Sequence, residues 1–214
     1  MSANLRVGSA VTTTLMAMIL IGTEVRADPI VWDTANAIAG GNGCVSTGPF
    51  PDTWFIAAGN DLSVIFSRMG VDLTSATAAN TATTGCLVRI PVVLESNVAI
   101  SELDQTLLWG YAKDKGTTGS VTARSTFCGR PTIPTSGVVG SGIEGVEALI
   151  ETTSQSFFAW PPTTPFCLGR PVNCLFYANL AVAARRTDAS QDESIRIYGE
   201  DIEYEALFHW RLCP

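Results

Sequence analysis

The apolar residues of this chain occur in short runs that are bounded by Gly, Pro, Asn and Thr. Several runs alternate apolar and polar residues, which is the period of a half-buried β-strand. Many short strands at near-regular spacing are typical of a sandwich or a jelly roll. We therefore predict a mainly β fold, a single antiparallel β-sandwich or jelly-roll-like domain stapled by disulfides.

The same pattern predicts where the strands lie. Pro91 lies inside one run, and because proline has no N–H we expect that strand to be an edge strand or to carry a bulge. Residues 174–185 are compatible with a long strand or a helix, and residues 145–152 are the best helix candidate but equally compatible with a strand. The remaining predicted strands are 61–68, 86–94, 107–112, 119–127, 155–160, 194–198 and 202–208.

The first 27 residues have the order of a secretory signal peptide. Arg6 gives a positive start, residues 10–22 are a short apolar stretch, and residues 25–27 suit a cleavage site. The apolar stretch is 13 residues long, whereas a membrane-spanning helix needs about 20. We predict a signal peptide over residues 1–27 and one secreted β domain over residues 28–214, extracellular or at the cell surface, without a membrane span.

Cysteine content agrees with export. An even number of cysteines in an exported chain indicates disulfides, and the six candidates are Cys44, Cys86, Cys128, Cys167, Cys174 and Cys213. Metal ligation by these cysteines is disfavoured, because the chain has no Cys-x-x-Cys pair and has only one histidine, His209.

The net charge limits the partners. The formal charge is −7, and removing residues 1–27 takes away two arginines and one glutamate, which leaves −8. An acidic domain repels phosphate backbones, so we expect no nucleic-acid partner. The partner we expect is an unidentified extracellular polymer or protein, and self-association is an alternative.

Several short segments resemble, in their order, the DUF4360 family of small secreted proteins. The segments are Gly40-Gly-Asn-Gly-Cys44, Leu62–Phe66, Thr84-Gly-Cys-Leu-Val-Arg-Ile90, Trp109-Gly-Tyr-Ala112 with Gly116, Phe158–Trp160 with Pro165–Cys167, and Asn179–Val182. The resemblance covers roughly residues 30–185. It departs from the family at Val45, which stands where proline is usual, and residues 187–214 look like an added C-terminal strand pair.

The resemblance implies a secreted β domain and a Cys44–Cys86 disulfide, and it supplies no activity and no catalytic residues. For the other four cysteines we predict Cys167–Cys174 as a small local loop and Cys128–Cys213 by remainder.

Two loops offer ligand chemistry. Asp188, Ser190 and Asp192 place oxygen side chains at alternate positions, as at the start of a calcium loop, although a solvated acidic turn explains them equally. We predict no cofactor, with calcium as the alternative. Residues 140–145 match Gly-x-Gly-x-x-Gly, the motif of a dinucleotide-binding loop. No βαβ pattern surrounds them, so we interpret them as a turn.

No catalytic residue is assigned. His209 is the sole imidazole and there is no Gly-x-Ser-x-Gly elbow, so a serine triad is disfavoured and His209 is interpreted as a packed or surface residue. Paired carboxylates could support glycoside hydrolysis, but nothing in the sequence marks a pair. The candidates are Glu144, Glu147, Glu151, Glu200, Asp201, Glu203 and Glu205.

Aromatic residues suggest a binding role. Their flat rings can stack on sugar rings, and Trp54, near Pro51 and Gly59, is the best exposed candidate, whereas Trp109 and Trp160 look like core. The first hypothesis is a non-catalytic extracellular protein that binds a surface polymer or a protein partner. The alternatives are a self-assembling structural subunit, whose tail strand pairs with a neighbouring copy, and a secreted carbohydrate-active hydrolase.

Overall fold

The computed structural model describes residues 28–45, 53–158, 169–187 and 193–213. Apart from a short 3-10 turn at Thr34–Asn36, the regular structure of these residues is strand. The strands are β1 Ile30–Trp32, β2 Ile38–Gly41, β3 Cys44–Val45, β4 Thr53–Ala58, β5 Asp61–Phe66, β6 Val71–Leu73, β7 Thr81–Leu94, β8 Val98–Lys113, β9 Thr117–Phe127, β10 Arg130–Pro131, β11 Thr135–Val139, β12 Gly145–Phe157, β13 Val172–Arg186 and β14 Ile195–Leu212.

Within the described residues the strands form two antiparallel sheets. The eight-stranded sheet has the order β10, β9, β13, β7, β2, β3, with β11 also paired to β9 and β1 also paired to β7. The six-stranded sheet has the order β12, β8, β14, β5, β4, with β6 also paired to β14. The two sheets pack face to face, so the predicted antiparallel β-sandwich is confirmed.

The core lies between the sheets and is built by alternation along each strand. Aromatic rings from both sheets meet there: the ring centroids of Phe127 and Phe208 are 4.6 Å apart, and those of Phe176 and Tyr204 are 6.2 Å apart. Such ring pairs add stabilisation to the burial of their apolar area.

A buried hydrogen-bond network links the two sheets around Gln105 on β8, which is fully buried. Its Oε1 accepts hydrogen bonds from Ser125 on β9, at 2.5 Å, and from the Tyr204 hydroxyl on β14, at 2.8 Å. Its Nε2 donates to the carbonyl of Ile133, at 2.9 Å. Burial raises the pKa of Tyr204, which keeps its hydroxyl a neutral donor.

Arg186, at the end of β13, is also buried, with only 1% of its surface exposed. Its guanidinium donates hydrogen bonds to three carbonyls of the β6–β7 turn: those of Thr74 at 2.7 Å, Ala79 at 2.8 Å, and Thr77. The Thr74 carbonyl also accepts a hydrogen bond from Thr77 N within the turn, at 2.9 Å, so Arg186 adds a second donor there and supplies a donor to two further carbonyls outside any ladder.

The two ambiguous segments are both strands. Residues 174–185 lie in β13, between β7 and β9, and the helix candidate at residues 145–152 lies in β12, paired to β8. Pairing to a neighbouring strand decides the structure here over local helix propensity. The β12 register shifts between Glu147 and Ile150, where a Cβ on Gly110 of β8 would lie 2.5 Å from the Ala148 carbonyl oxygen.

Pro91 does not mark an edge strand, because β7 is paired on both sides. The carbonyl of Pro91 accepts a hydrogen bond from Asp33 N at 3.0 Å. In an antiparallel strand the nitrogen and the carbonyl oxygen of one residue point to the same neighbouring strand, so the Pro91 nitrogen points to the same side as Asp33. On that side β2 pairs with residues 87–89 of β7 and β1 pairs with residues 92–94, so Pro91 lies in the gap between the two partners. The missing N–H therefore interrupts no ladder.

The C-terminal segment forms one strand rather than the predicted strand pair, which corrects that part of the sequence prediction. The predicted strands 194–198 and 202–208 are parts of one strand, β14, whose register on β8 shifts between Tyr198 and Glu203. β14 lies inside the six-stranded sheet, with β8 on one side and β5 and β6 on the other. Because β8 pairs along one edge and β5 and β6 pair with residues 202–207 and 195–197 on the other, these parts of β14 are not free for a neighbouring copy.

Two of the three predicted disulfides are wrong. Cys44–Cys86 is present, as the family resemblance implies, but Cys128 is bonded to Cys174. β9 and β13 are neighbours, and Cys128 N donates to the Leu175 carbonyl at 3.0 Å, which brings the two cysteines together across 46 residues of chain. The predicted Cys167–Cys174 and Cys128–Cys213 bonds are therefore excluded, although Cys213 is disulfide-bonded.

Several predicted features lie outside the described residues: the signal peptide at residues 1–27, Trp160, Cys167, and the calcium-loop candidates Asp188, Ser190 and Asp192. In the part of the chain that the structure describes, no helix has the length and apolar character needed to cross a bilayer.

Candidate ligand-binding face

The outer face of the six-stranded sheet carries a regular array of side chains. Alternate residues of each strand point away from the core, and the strand registers align them in four rows that cross the sheet from β12 towards β4. The rows are Phe157, Glu102 and His209; Gln155, Asp104, Leu207 and Asp61; Thr153, Thr106, Glu205, Ser63 and Ile56; and Glu151, Leu108, Glu203, Ile65 and Trp54. We call this array the outer face.

A groove of about 610 Å³ crosses the middle of the outer face. Most of its lining side chains come from the second and third rows: Asp61, Asp104, Thr106, Thr153, Gln155, Glu205 and Leu207, together with Ser154. Seven of these eight residues carry a hydroxyl, amide or carboxylate group, so the groove offers many hydrogen-bond donors and acceptors to a ligand.

The outer face is strongly acidic. Its carboxylates are Asp61, Glu102, Asp104, Glu151, Glu203 and Glu205. Burial raises the pKa of Glu205, and the negative charges of Glu203, Asp61 and Glu151 raise it further. An array of this sign repels anionic polymers and attracts cations.

Aromatic side chains mark opposite corners of the outer face. Trp54 on β4 is 55% exposed, and Phe157 on β12 is 70% exposed. With strands about 4.8 Å apart and rows about 6.7 Å apart, the diagonal between the two residues is about 28 Å. Asp104 and Glu205 lie between them, so an extended ligand on this diagonal would also cross the groove.

His209 is a surface residue of the first row rather than part of a buried triad. Its Nε2 lies 2.8 Å from Oδ2 of Asp104, and the two side chains are 44% and 36% exposed. Glu102 is the cross-strand neighbour of His209, and one donor atom from each of the three residues lies within 4.8 Å of the others. Among the described residues these three side chains could hold a metal ion, and none of them was assigned to a metal site from the sequence.

Ionisation of Glu205 should weaken the fold. Because the folded-state pKa is raised, the protonated form contributes stability that is fully present below the unfolded pKa, about 4.3, and is lost as pH rises through the folded pKa. We expect Glu205→Gln to unfold at a higher temperature than the wild type at pH 7, and the difference to shrink as the pH falls below 4.3 or so.

Thermal unfolding scans at several pH values test this expectation. The control is Glu95→Gln in the β7–β8 turn, outside the acidic array, which should leave the pH dependence unchanged. A Glu205→Gln protein that is less stable than the wild type at neutral pH would contradict the argument.

No family model matches the chain, and no curated protein matches it. Among solved structures, the chain is similar to a carbohydrate-binding module in complex with β-1,4-galactotriose, at 8% identity over 84% of this chain and 87% of that one, with a TM-score of 0.28. A module described for specific mannan recognition is 11% identical over 83% and 98%, with a TM-score of 0.28.

The adhesin domain of Epf from Streptococcus pyogenes is 12% identical over 78% of this chain and 48% of that one, with a TM-score of 0.22. TM-scores this low transfer neither a site nor a function to this chain. The resemblance of the short motifs to DUF4360 likewise stays a prediction.

Sequence and structure agree on part of the site. Trp54 is exposed and Trp109 is buried, as their positions predicted, but a binding role for Trp54 stays a prediction. Of the groove residues, only Glu205 is among the carboxylate candidates of the sequence analysis, and Phe157 was not predicted as a ligand contact. Alternation could have placed each on an outer surface, but their meeting depends on a strand order that the sequence does not contain.

Proposed function

We propose that this chain is a non-catalytic extracellular binding domain that holds an uncharged polysaccharide across the outer face. The observation that carries the proposal is the pair of exposed aromatic residues, Trp54 and Phe157, at opposite corners of a face with a polar groove between them. Disulfides within the domain support an extracellular location, because they persist in oxidising compartments.

Each feature of the face suits such a ligand. Aromatic rings stack on the apolar faces of sugar rings, which gives contact area at both ends. Carboxylates accept hydrogen bonds from sugar hydroxyls, and Asp104 and Glu205 lie where the middle of an extended chain would pass. The same carboxylates repel polymers that carry phosphate, sulfate or uronic acid groups, so the expected polysaccharide is uncharged.

Affinity electrophoresis against soluble polysaccharides tests the proposal. The panel contains a β-glucan, a galactomannan, a galactan and a xylan as uncharged polymers and alginate as an anionic one. We expect retardation by at least one uncharged polymer and none by alginate. Trp54→Ala and Phe157→Ala should each weaken that binding by about tenfold or more, because both remove a stacking surface.

The matched control is Tyr177→Ala, an aromatic truncation on the outward side of β13 in the eight-stranded sheet, which should bind like the wild type. Absence of retardation by every uncharged polymer would refute the proposal. Equal loss in Tyr177→Ala would place the ligand on another surface.

A glycoside hydrolase is the second candidate, favoured by the raised pKa of Glu205 beside other carboxylates in the groove. A general acid needs a raised pKa, and a second carboxylate such as Asp61 or Asp104 would act as base or nucleophile. Reducing ends released from a retained polymer, and lost in Glu205→Gln, would replace the binding proposal with this one. Retention of intact polymer excludes it.

A further inference from the structure

Three metal-ligating side chains meet in the first row of the outer face. Glu102 and Asp104 point to the same side of β8, and His209 on β14 lies directly opposite Glu102 in the ladder. The donor atoms of all three residues lie within 4.8 Å of one another. Their side chains project from paired strands, so their relative positions are fixed by backbone hydrogen bonds rather than by a loop.

We propose that Glu102, Asp104 and His209 form a binding site for a divalent transition-metal ion, with Zn²⁺ as its best-matched ion. An imidazole nitrogen with two carboxylate oxygens is a donor set that Zn²⁺ accepts, whereas Ca²⁺ and Mg²⁺ prefer oxygen ligands alone. The site rests on its own donor atoms; it shares Asp104 with the groove, so its test uses His209 and Glu102, which do not line the groove.

The geometry requires only small adjustments. Zinc binds these donors at about 2.1 Å, so two donors of a tetrahedral site lie about 3.4 Å apart. The His209 Nε2 to Asp104 Oδ2 distance of 2.8 Å must open slightly, and a Glu102 carboxylate oxygen lies within 4.8 Å of both of these donor atoms. Both His209 and Asp104 are solvent-accessible, so an ion can enter without unfolding.

Neighbouring groups hold the ligands in place. Gln155 on β12 donates a hydrogen bond from Nε2 to Glu102 Oε1, which orients that carboxylate from the third strand. Ser101 donates to the His209 carbonyl at 3.1 Å, next to a shift in the β14 register between His209 and Trp210. Bulged positions of this kind re-aim a side chain, and supporting hydrogen bonds raise metal affinity.

The charge around the site favours a cation. Asp61 and Glu205 lie in the next two rows of the same face. Their negative potential raises the local concentration of divalent ions and lowers that of anions. Without a metal, the His209–Asp104 contact is an ordinary hydrogen-bonded pair. A measurement of metal binding is what distinguishes a metal site from such a pair.

Calorimetric titration of the chelator-treated exported protein with Zn²⁺ tests the proposal. We expect one saturable site, and with Co²⁺ the visible absorption band of a low-coordinate Co(II) centre with nitrogen and oxygen donors. His209→Gln and Glu102→Gln should each weaken Zn²⁺ binding by about tenfold or more and remove that band. The control Glu203→Gln, in the fourth row, should keep both signals.

The same variants give a second readout. Zn²⁺ should raise the unfolding temperature of the wild type and of Glu203→Gln, but not that of His209→Gln, provided that His209→Gln folds like the wild type without metal. The proposal is overturned if the wild type shows no saturable Zn²⁺ binding or binds Ca²⁺ as tightly as Zn²⁺. It is also overturned if Zn²⁺ binding survives in His209→Gln, or is lost equally in Glu203→Gln. If His209→Gln loses Zn²⁺ binding but still binds the polysaccharide, the zinc site and the proposed function are separate properties of the chain.

Discussion

Replacing Arg186 with methionine should lower the free energy of unfolding by about 3 to 5 kcal/mol, because three carbonyls of the β6–β7 turn lose the guanidinium as a donor, and of these the Thr74 carbonyl keeps its bond from Thr77 N. Methionine preserves much of the side-chain volume, so the measured loss reports on hydrogen bonding more than on a cavity. The guanidinium is nearly inaccessible to water, and water therefore cannot easily replace it. Urea unfolding of the purified domain measures the change.

Arg185→Met is the matched control. Arg185 precedes Arg186 on β13 and its side chain is exposed on the opposite side of the strand, so its replacement should change stability by about 0.5 kcal/mol or less. Equal stability of the Arg186→Met and Arg185→Met proteins would show that the turn carbonyls find other partners.

Replacing Gln105 with leucine should cost about 3 kcal/mol. The substitution leaves the hydroxyls of Ser125 and Tyr204 without the acceptor they share in the core, and each buried unsatisfied group is costly. Thr106→Val, at the next position of β8 but on the outer face, should change stability by about 0.5 kcal/mol or less.

A double-mutant cycle shows whether the network acts as a unit. Tyr204→Phe alone should cost about 1 kcal/mol, because it removes one of the donors to Gln105. The double variant Gln105→Leu/Tyr204→Phe should lose about 1 kcal/mol less stability than the sum of the two single losses. The reason is that the Tyr204 hydroxyl, which Gln105→Leu leaves unsatisfied, is absent from the double variant. Strict additivity would contradict the cooperative network.

Much of the strand content could be predicted because alternation is a local property. The predicted strand at residues 61–68 corresponds to β5, and residues 119–127 lie in β9. Continuity was harder to predict: residues 199–201 interrupt the apolar pattern, so β14 looked like two strands, whereas its pairing with β8 resumes after a register shift. A partner strand that is distant in sequence decides such cases.

The site was less predictable than the strands for the same reason. Trp54 could be selected from its own neighbours, but the groove joins Thr153, Asp104, Glu205 and Asp61 from four strands that are not consecutive in the chain. The Cys128–Cys174 bond depends in the same way on β9 lying beside β13. Spacing along the chain favoured Cys167, the nearer cysteine, as the partner of Cys174, and that prediction is wrong.

The central position of β14 also determines when this fold can be completed during synthesis. β5 and β8 both pair with β14, and the contacting side chains of Ser63 and Glu203 are 140 residues apart in the chain. Until the ribosome has produced residues 195–212, each of these strands keeps an unpaired edge that can recruit another nascent chain. Translation interrupted before that point would therefore yield an aggregation-prone partial sandwich, and the nascent chain needs protection of these two edges until β14 is in place.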